Sequence, residues 1–169
     1  MSSVIISGDT SGAVTVTVPA VAGTNTVTIP ASTGTVMVSG NMPAFSASSG
    51  TIATGIGTNQ ITLTESLDTA NCFTSSTFTP TVAGLYLITL QVYTNLPAGT
   101  GSGAAIYKNG VSVAGQYADS VTSIGSIHST SILLSMNGTT DNVKAYSYFG
   151  TSGYSLTSAG FQGVLVRSN

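Results

Sequence analysis

The sequence predicts an all-β protein: a sandwich of turn-linked strands preceded by an N-terminal segment of short strand repeats. Three observations carry that expectation. Ser and Thr make up about a third of the 169 residues, and Thr, Val, Ile and Tyr suit pleated strands while Gly, Ser and Asn suit turns. Apolar and polar residues alternate over short runs, with no helical period. Clusters of Gly, Pro and Asn break those runs at short intervals.

Charge is sparse, with Asp, Glu, Lys and Arg at 5% of the chain and a formal net charge of −2. Lys108, Lys144 and Arg167 lie far apart in sequence, so no basic patch for nucleic acid is expected. No uninterrupted apolar run approaches the roughly 20 residues of a membrane-spanning helix. The start, "MSSVIISGDT", has neither the basic segment nor the apolar stretch of a secretory leader. A single cysteine, Cys72, excludes an intrachain disulfide. Stability must come from burial or from association.

Residues 1–42 contain three short strand candidates, Ala13–Val18, Thr26–Ile29 and Thr35–Val38. The first two are near-copies: "VTVPA", with Val16 and Val18, returns eleven residues later as "VTIPA", with Val27 and Ile29. Val36 and Val38 supply the third apolar face. Strands this short bury almost nothing alone, and fewer than three full repeats cannot make a solenoid. A parallel partner from another copy is the simplest remedy, which predicts an intertwined stem of three chains.

From Pro43 the strands lengthen and aromatic residues appear. Strands are expected at Pro43–Ala47, Gln60–Thr64, Thr77–Pro80, Gly84–Thr94, Ala104–Lys108, Val111–Ala114, Ile127–Met136, Asn142–Phe149 and Gly160–Arg167. Asn109-Gly110, between "AAIYK" and "VSVAG", is a strong hairpin signal, because a type I′ turn needs positive φ at both central residues. Eight to ten such strands argue for a sandwich, best a jelly roll.

Two strands are apolar on both faces. In "GLYLITLQVYT" one face carries Tyr86, Ile88, Leu90 and Val92, and the other begins with Leu85 and Leu87. "FQGVLV" sets Val164 and Val166 against Phe161 and Leu165. A monomeric sandwich strand has one core face and one wet face, so these residues are expected in the core or in a subunit interface.

Those segments resemble the globular head of complement's first component, its q subcomponent. Phe78, Gly84 and Tyr86 of "FTPTVAGLYLITL" match that family's Phe, five residues, Gly, any residue, Tyr, with Ile88 and Leu90 where aromatics are usual. "IYKNG", "SILLSMNGTTDNVKAY" and "FQGVLV" are similar to its central hairpin, its strand–turn–strand and its closing strand. The resemblance spans roughly residues 43–167. It implies the ten-stranded jelly roll shared with tumour necrosis factor, a tight homotrimer and, in some relatives, calcium held by loop acids. The spacing from Phe73 to Phe78 is shorter than in the family, and the collagen stalk is absent. Separately, "GDTSGAVTVTVPAVAGTNTVTIPASTGTV" resembles segments of tailed-bacteriophage virion proteins, including tail fibres.

Candidate chemistry is thin. His128 is the only histidine and falls on an expected strand, so a simple strand residue is the favoured reading. Cys72 has no base and acid recognisable around it, which favours a buried or inert thiol. "GTGSG", Gly99–Gly103, is followed by a strand rather than the helix a phosphate cradle uses, and reads as a loop. Glu65, Asp68, Asp119 and Asp141 are scattered, whereas calcium wants several oxygen ligands. Tyr107, Tyr117, Tyr146, Tyr148, Phe149 and Tyr154 are read either as contact surface or as core and seam. No catalytic group of residues emerges.

The expectation is therefore a non-enzymatic phage virion protein: an anchor at 1–42 and a jelly-roll head at 43–169. A spike decorating the capsid, joined to the major capsid protein or another decorating protein through the stem, is preferred because 42 residues leave no long shaft. The rival is a receptor-binding tail-fibre tip, with the loops Leu96–Gly103, Tyr117–Ser126 and Gly150–Ser158 contacting a host surface glycan or protein.

Overall fold

The computed structural model describes residues 3–28, 31, 36–38, 40, 42–53, 55–119, 125–151 and 154–168. The chain divides into two compact units, Met1–Thr33 and Gly34–Asn169.

In the first unit, β1 (Ser3–Ser7) and β2 (Ala13–Thr17) form an antiparallel hairpin that pairs Val4 with Val16 and Ile6 with Val14. Every residue of both strands is exposed. The first predicted strand is thus present, but its partner is the upstream run "SVIIS" in the same chain. That run was not expected, because Val4-Ile5-Ile6 shows no alternation. Pairing here is antiparallel and within one chain, where a parallel partner from another copy was expected. Of the other two candidates, Thr26–Thr28 and Val36–Val38 lie outside any strand; Ile29 and Thr35 lie outside the described residues. Among the described residues no strand runs beside Thr26–Thr28.

The second unit is a two-sheet jelly roll. One sheet has the order β12-β9-β14-β3-β6, with β4 also pairing β14. These strands are Ser126–Met136, Gly84–Thr94, Ser155–Ser168, Ala44–Ser49, Thr64–Asp68 and Ile52–Ala53 respectively. The facing sheet has the order β11-β10-β13-β8-β7, with β5 also pairing β13. Its strands are Val111–Asp119, Gly101–Lys108, Val143–Phe149, Thr77–Phe78, Phe73–Thr74 and Gly57–Gln60. Because β4 lies along β14 beside β3, and β5 along β13 beside β8, the described strands occupy ten positions, five in each sheet.

Gly84–Thr94 forms as the alternation requires, burying Tyr86, Ile88, Leu90 and Val92. Other boundaries move. The expected strand Gln60–Thr64 is instead a crossover: β5 ends in one sheet, β6 begins in the other, and Ile61 and Leu63 are buried between them. β11 and β14 each run five residues further than predicted, past Gly115 and Gly160 respectively. Gly101 and Gly103 belong to β10 rather than to a loop.

Turn chemistry sets the registers. Asn109 (φ 51°) and Gly110 (φ 81°) make the expected two-residue turn between Lys108 and Val111. The short Phe73-to-Phe78 spacing has the same cause. Ser75 (φ 50°) and Ser76 (φ 58°) form a second tight turn, so that Phe73 pairs with Phe78 and both rings enter the core.

Phe45 lies at the centre of that core. Its ring stacks on Phe73 at 5.0 Å and Phe78 at 4.4 Å, and meets Phe161 edge-on at 5.0 Å. Gly163 sits between Phe45 and Ile88 in the register of the sheet. A Cβ there would fall within the van der Waals space of the Phe45 ring and the Ile88 terminal methyl. With Phe45 held by three other rings, the clash cannot be relieved by a simple rotation. Gly163→Ala is therefore expected to lower unfolding stability by about 1–3 kcal/mol, read as a drop in the urea midpoint at unchanged m-value.

Candidate functional site

The outer face of the β9 sheet carries a contiguous row of exposed apolar side chains. On β9 the residues pointing away from the core are Leu85, Leu87, Thr89, Gln91 and Tyr93. Register places Leu133 of β12 and Val164 of β14 on either side of Leu87, with Ala44 of β3 next to Val164. Leu87, Leu133, Val164, Val166 and Leu67 are 37%, 55%, 41%, 54% and 51% exposed. The next row is polar: Ser131, Thr89, Gln162 and Ser46. An apolar depression of about 370 Å³ lies between Ala44, Leu67, Leu87 and Val164, with Gln162 and Thr89 at its margin. The surface is thus an apolar band across a continuous sheet, bordered by hydroxyls and amides.

Tyr86, Ile88, Leu90 and Phe161 lie in the core, while Val164 and Val166 point outward into this band. Leu133 was not singled out in the sequence. It follows from the register alone, since a strand's alternation does not say which neighbour its exposed residues join. In the first unit Val16, Val18 and Val27 are exposed, as are Val36 and Val38 in the second.

The remaining candidates are occupied structurally. His128 Nε2 shares a 2.7 Å hydrogen bond with Ser102 Oγ, which in turn lies 3.2 Å from Thr94 Oγ1. A Ser–His pair is half of a nucleophile and base, but here Ser102, His128 and Thr94 are all buried and, among the described residues, His128 Nδ1 has no partner to orient it. This is an inter-sheet hydrogen bond without the third group of a triad. Cys72 is buried, its Sγ 3.4 Å from the Ala70 carbonyl oxygen.

The acids are spread out. Burial pushes the Asp68 carboxyl up, but the N–H groups of Cys72, Phe73, Ala70 and Asn71 outweigh it and leave the pKa lowered. Asp141 accepts from Asn109 Nδ2 at 2.7 Å and pairs with Lys108 Nζ at 2.9 Å, and both hold its pKa down. Among the described residues no three His, Cys, Asp or Glu side chains come together as metal ligands.

Comparison with known proteins adds the fold family. No protein-family model and no curated protein sequence matches the chain. Among solved structures, a zebrafish complement 1qA globular domain aligns over 75% of this chain and 98% of its own, with TM-score 0.61 and 20% identity. Murine APRIL at pH 5.0 aligns over 74% and 99%, with TM-score 0.57 and 9% identity. The phage PRD1 vertex protein P5 aligns over 75% and 73%, with TM-score 0.52 and 14% identity. At these identities the likeness concerns the fold: a complement-type, tumour necrosis factor-like jelly roll.

Burial lowers the pKa of His128 from its usual 6.5. The folded chain therefore favours neutral imidazole, and the unfolded chain binds the extra proton first as pH falls. Stability should be level at and just above about pH 7.5 and fall as pH drops through the usual histidine range of 6.5 and below, before the Asp68 and Asp141 carboxyls, both held below the ordinary carboxylate range, take up protons. Urea midpoints at pH 7.5, 6.5 and 5.5 check this, with His128→Gln expected to flatten the dependence (pH values chosen about the reference histidine pKa).

Proposed function

We propose that this chain is a non-enzymatic structural protein of a phage particle, a homotrimeric capsid-decorating spike anchored through residues 1–42. The observation that carries the proposal is the apolar band of Leu87, Leu133, Val164 and Val166 on the outer face of a central strand and its neighbours. Exposed contiguous apolar surface of this kind marks an interaction site. Closed cyclic symmetry lets identical copies cover it without leaving an open end, and the resemblance to complement-type heads supplies the number three. Fold likeness to a protein named for the PRD1 vertex supports the virion setting.

The N-terminal hairpin supports the anchoring role. It presents Val4, Ile6, Val14 and Val16 on one face, all exposed, and a two-stranded hairpin is marginal in water by itself. Its cover is expected from the particle or from the other copies. A trimer is suited to threefold and quasi-threefold positions of a capsid. The major capsid protein, or another decorating protein there, is the partner this reading requires.

Two measurements test the proposal. Native mass spectrometry of the purified protein should show three copies of the 16.8 kDa chain; Leu87→Glu combined with Val164→Glu should yield monomer with unchanged far-ultraviolet circular dichroism. Quantitative mass spectrometry of virions should find the chain at a fixed fraction of the major capsid protein, and Ile6→Asp with Val14→Asp should remove it from particles. A copy number matching only a few tail appendages would replace capsid decoration with the tail-fibre reading.

A further inference from the structure

On the opposite sheet, facing away from the apolar band, Tyr107, Tyr117 and Tyr148 line a groove, with Tyr146 packed against Tyr107. Gly103 of β10 is flanked in register by Tyr117 of β11 and Tyr148 of β13, and Ala105 by Gly115 and Tyr146. Tyr117 and Tyr148 meet edge to face at 5.2 Å, and Tyr107 and Tyr146 lie tilted against each other at 4.2 Å. The floor between them is small: Gly103, Ala105 and Gly115. A Cβ at Gly101 would collide with the Tyr117 hydroxyl, so the phenol lies flat across the strand because no side chain stands beneath it.

The Tyr117–Tyr148 pair separates two depressions of different character. On one side lies an apolar pocket of about 290 Å³ beside Ala105, Gly115 and Tyr107. On the other lies a polar one of about 540 Å³ beside Asp119, Thr100, Thr151 and Tyr154, with backbone exposed at Gly99 and Gly150. Both are on the scale of small-molecule sites, which combine apolar walls with a few placed polar groups. The start of β10 with Gly99 and Thr100 before it, the end of β11, and Gly150, Thr151 and Tyr154 after β13 converge here.

The geometry points to a binding groove for a neutral oligosaccharide, whose apolar ring faces pack on Tyr117 and Tyr148 and whose hydroxyls bond to Asp119 and the surrounding hydroxyls and backbone groups. Aromatic rings give large contact area at low entropic cost. Asp119 accepts from the Tyr117 phenol at 3.1 Å, which fixes one carboxylate oxygen and leaves lone pairs for a ligand. Charge selects against acidic sugars. Asp119 is the one charged side chain among the described lining residues of the polar depression. Lys144 stands opposite Tyr107, three same-face rows away, roughly 20 Å at strand spacing and beyond the screening length of about 8 Å.

This inference does not rest on the trimer, since the groove and the apolar band lie on opposite sheets. The test is ligand-observed saturation-transfer NMR on the full chain. The probes are maltotriose, chitotriose, mannotriose and galactotriose, with 3′-sialyllactose as the acidic comparison. At least one neutral trisaccharide is expected to bind and sialyllactose is not. Tyr148→Ala should weaken that binding about tenfold or more, and Tyr117→Ala, at a residue 58% exposed, should do the same without touching the core. Asp119→Asn should admit sialyllactose. Absence of binding by all four neutral probes at about 10 mM, well above a millimolar Kd, would overturn the inference. So would binding indifferent to both tyrosine variants, or saturation transfer to the ligand that is lost as protein concentration rises, which would assign the groove to another copy.

Discussion

The stacking of Phe45 against rings from both sheets is the contact on which the rest of this head depends. Phe45 and Phe161 come from the β9 sheet, and Phe73 and Phe78 from the facing one. Tyr86 joins through Phe78 at 5.6 Å, its hydroxyl donating to the Val82 carbonyl at 2.7 Å. Buried aromatic pairs contribute about 0.5–1.5 kcal/mol beyond the area they bury. With no disulfide and one described ion pair, burial has to fix the angle and spacing of the two sheets. Gly163 and the Ser75-Ser76 turn both follow from this cluster. One makes room for Phe45, and the other brings two phenylalanines onto the same side of a two-residue hairpin.

The far part of the sandwich is held differently. Thr94, Ser102 and His128 are buried together in a hydrogen-bonded chain, and Ser147 Oγ and His128 Nδ1 are buried without a partner among the described residues. Unpartnered buried polar atoms cost free energy that an apolar residue would not. The two sheets are therefore joined strongly near Phe45 and less strongly near His128. That same weaker region adjoins the start of β10, where Gly101 carries the Tyr117 phenol.

Much of the head was legible because its signals are local. Alternation in Gly84–Thr94 gave the strand and grouped Tyr86, Ile88, Leu90 and Val92 on one face, which burial shows to be the core face, and Asn109-Gly110 identified its own turn. Where the reading failed, the deciding partner lay elsewhere in the chain. Ile61 and Leu63 alternate like a strand, yet they cross between sheets because β13 and β3 compete for their flanks. β2 forms against "SVIIS" because that run is adjacent, while Thr26–Thr28, with the same sequence pattern, lacks such a neighbour among the described residues. The outer band was half legible: the sequence separated Leu87 from Ile88 and Val164 from Leu165 onto opposite faces, but which face is outward, and that Leu133 joins it, comes only from burial and register. The tyrosine groove was least legible, since core and surface tyrosines look alike until β10 shows its glycine face.

The low charge of the chain acquires a physical meaning from these two faces. Ser, Thr and Gln side chains keep the outer sheet surfaces hydrated without setting up the long-range repulsion that charged residues would add between copies. In the proposed assembly, association through Leu87, Leu133 and Val164 would be governed by apolar burial, with little electrostatic steering and little dependence on salt. The opposite face faces a different requirement, because a site for a neutral ligand gains nothing from strong fields and needs rigid shape. Tyrosines braced in pairs over glycine and alanine supply that shape from the register of three strands. A surface of hydroxyls with few charges thus serves both faces at once, leaving shape and apolar area to decide what each can hold.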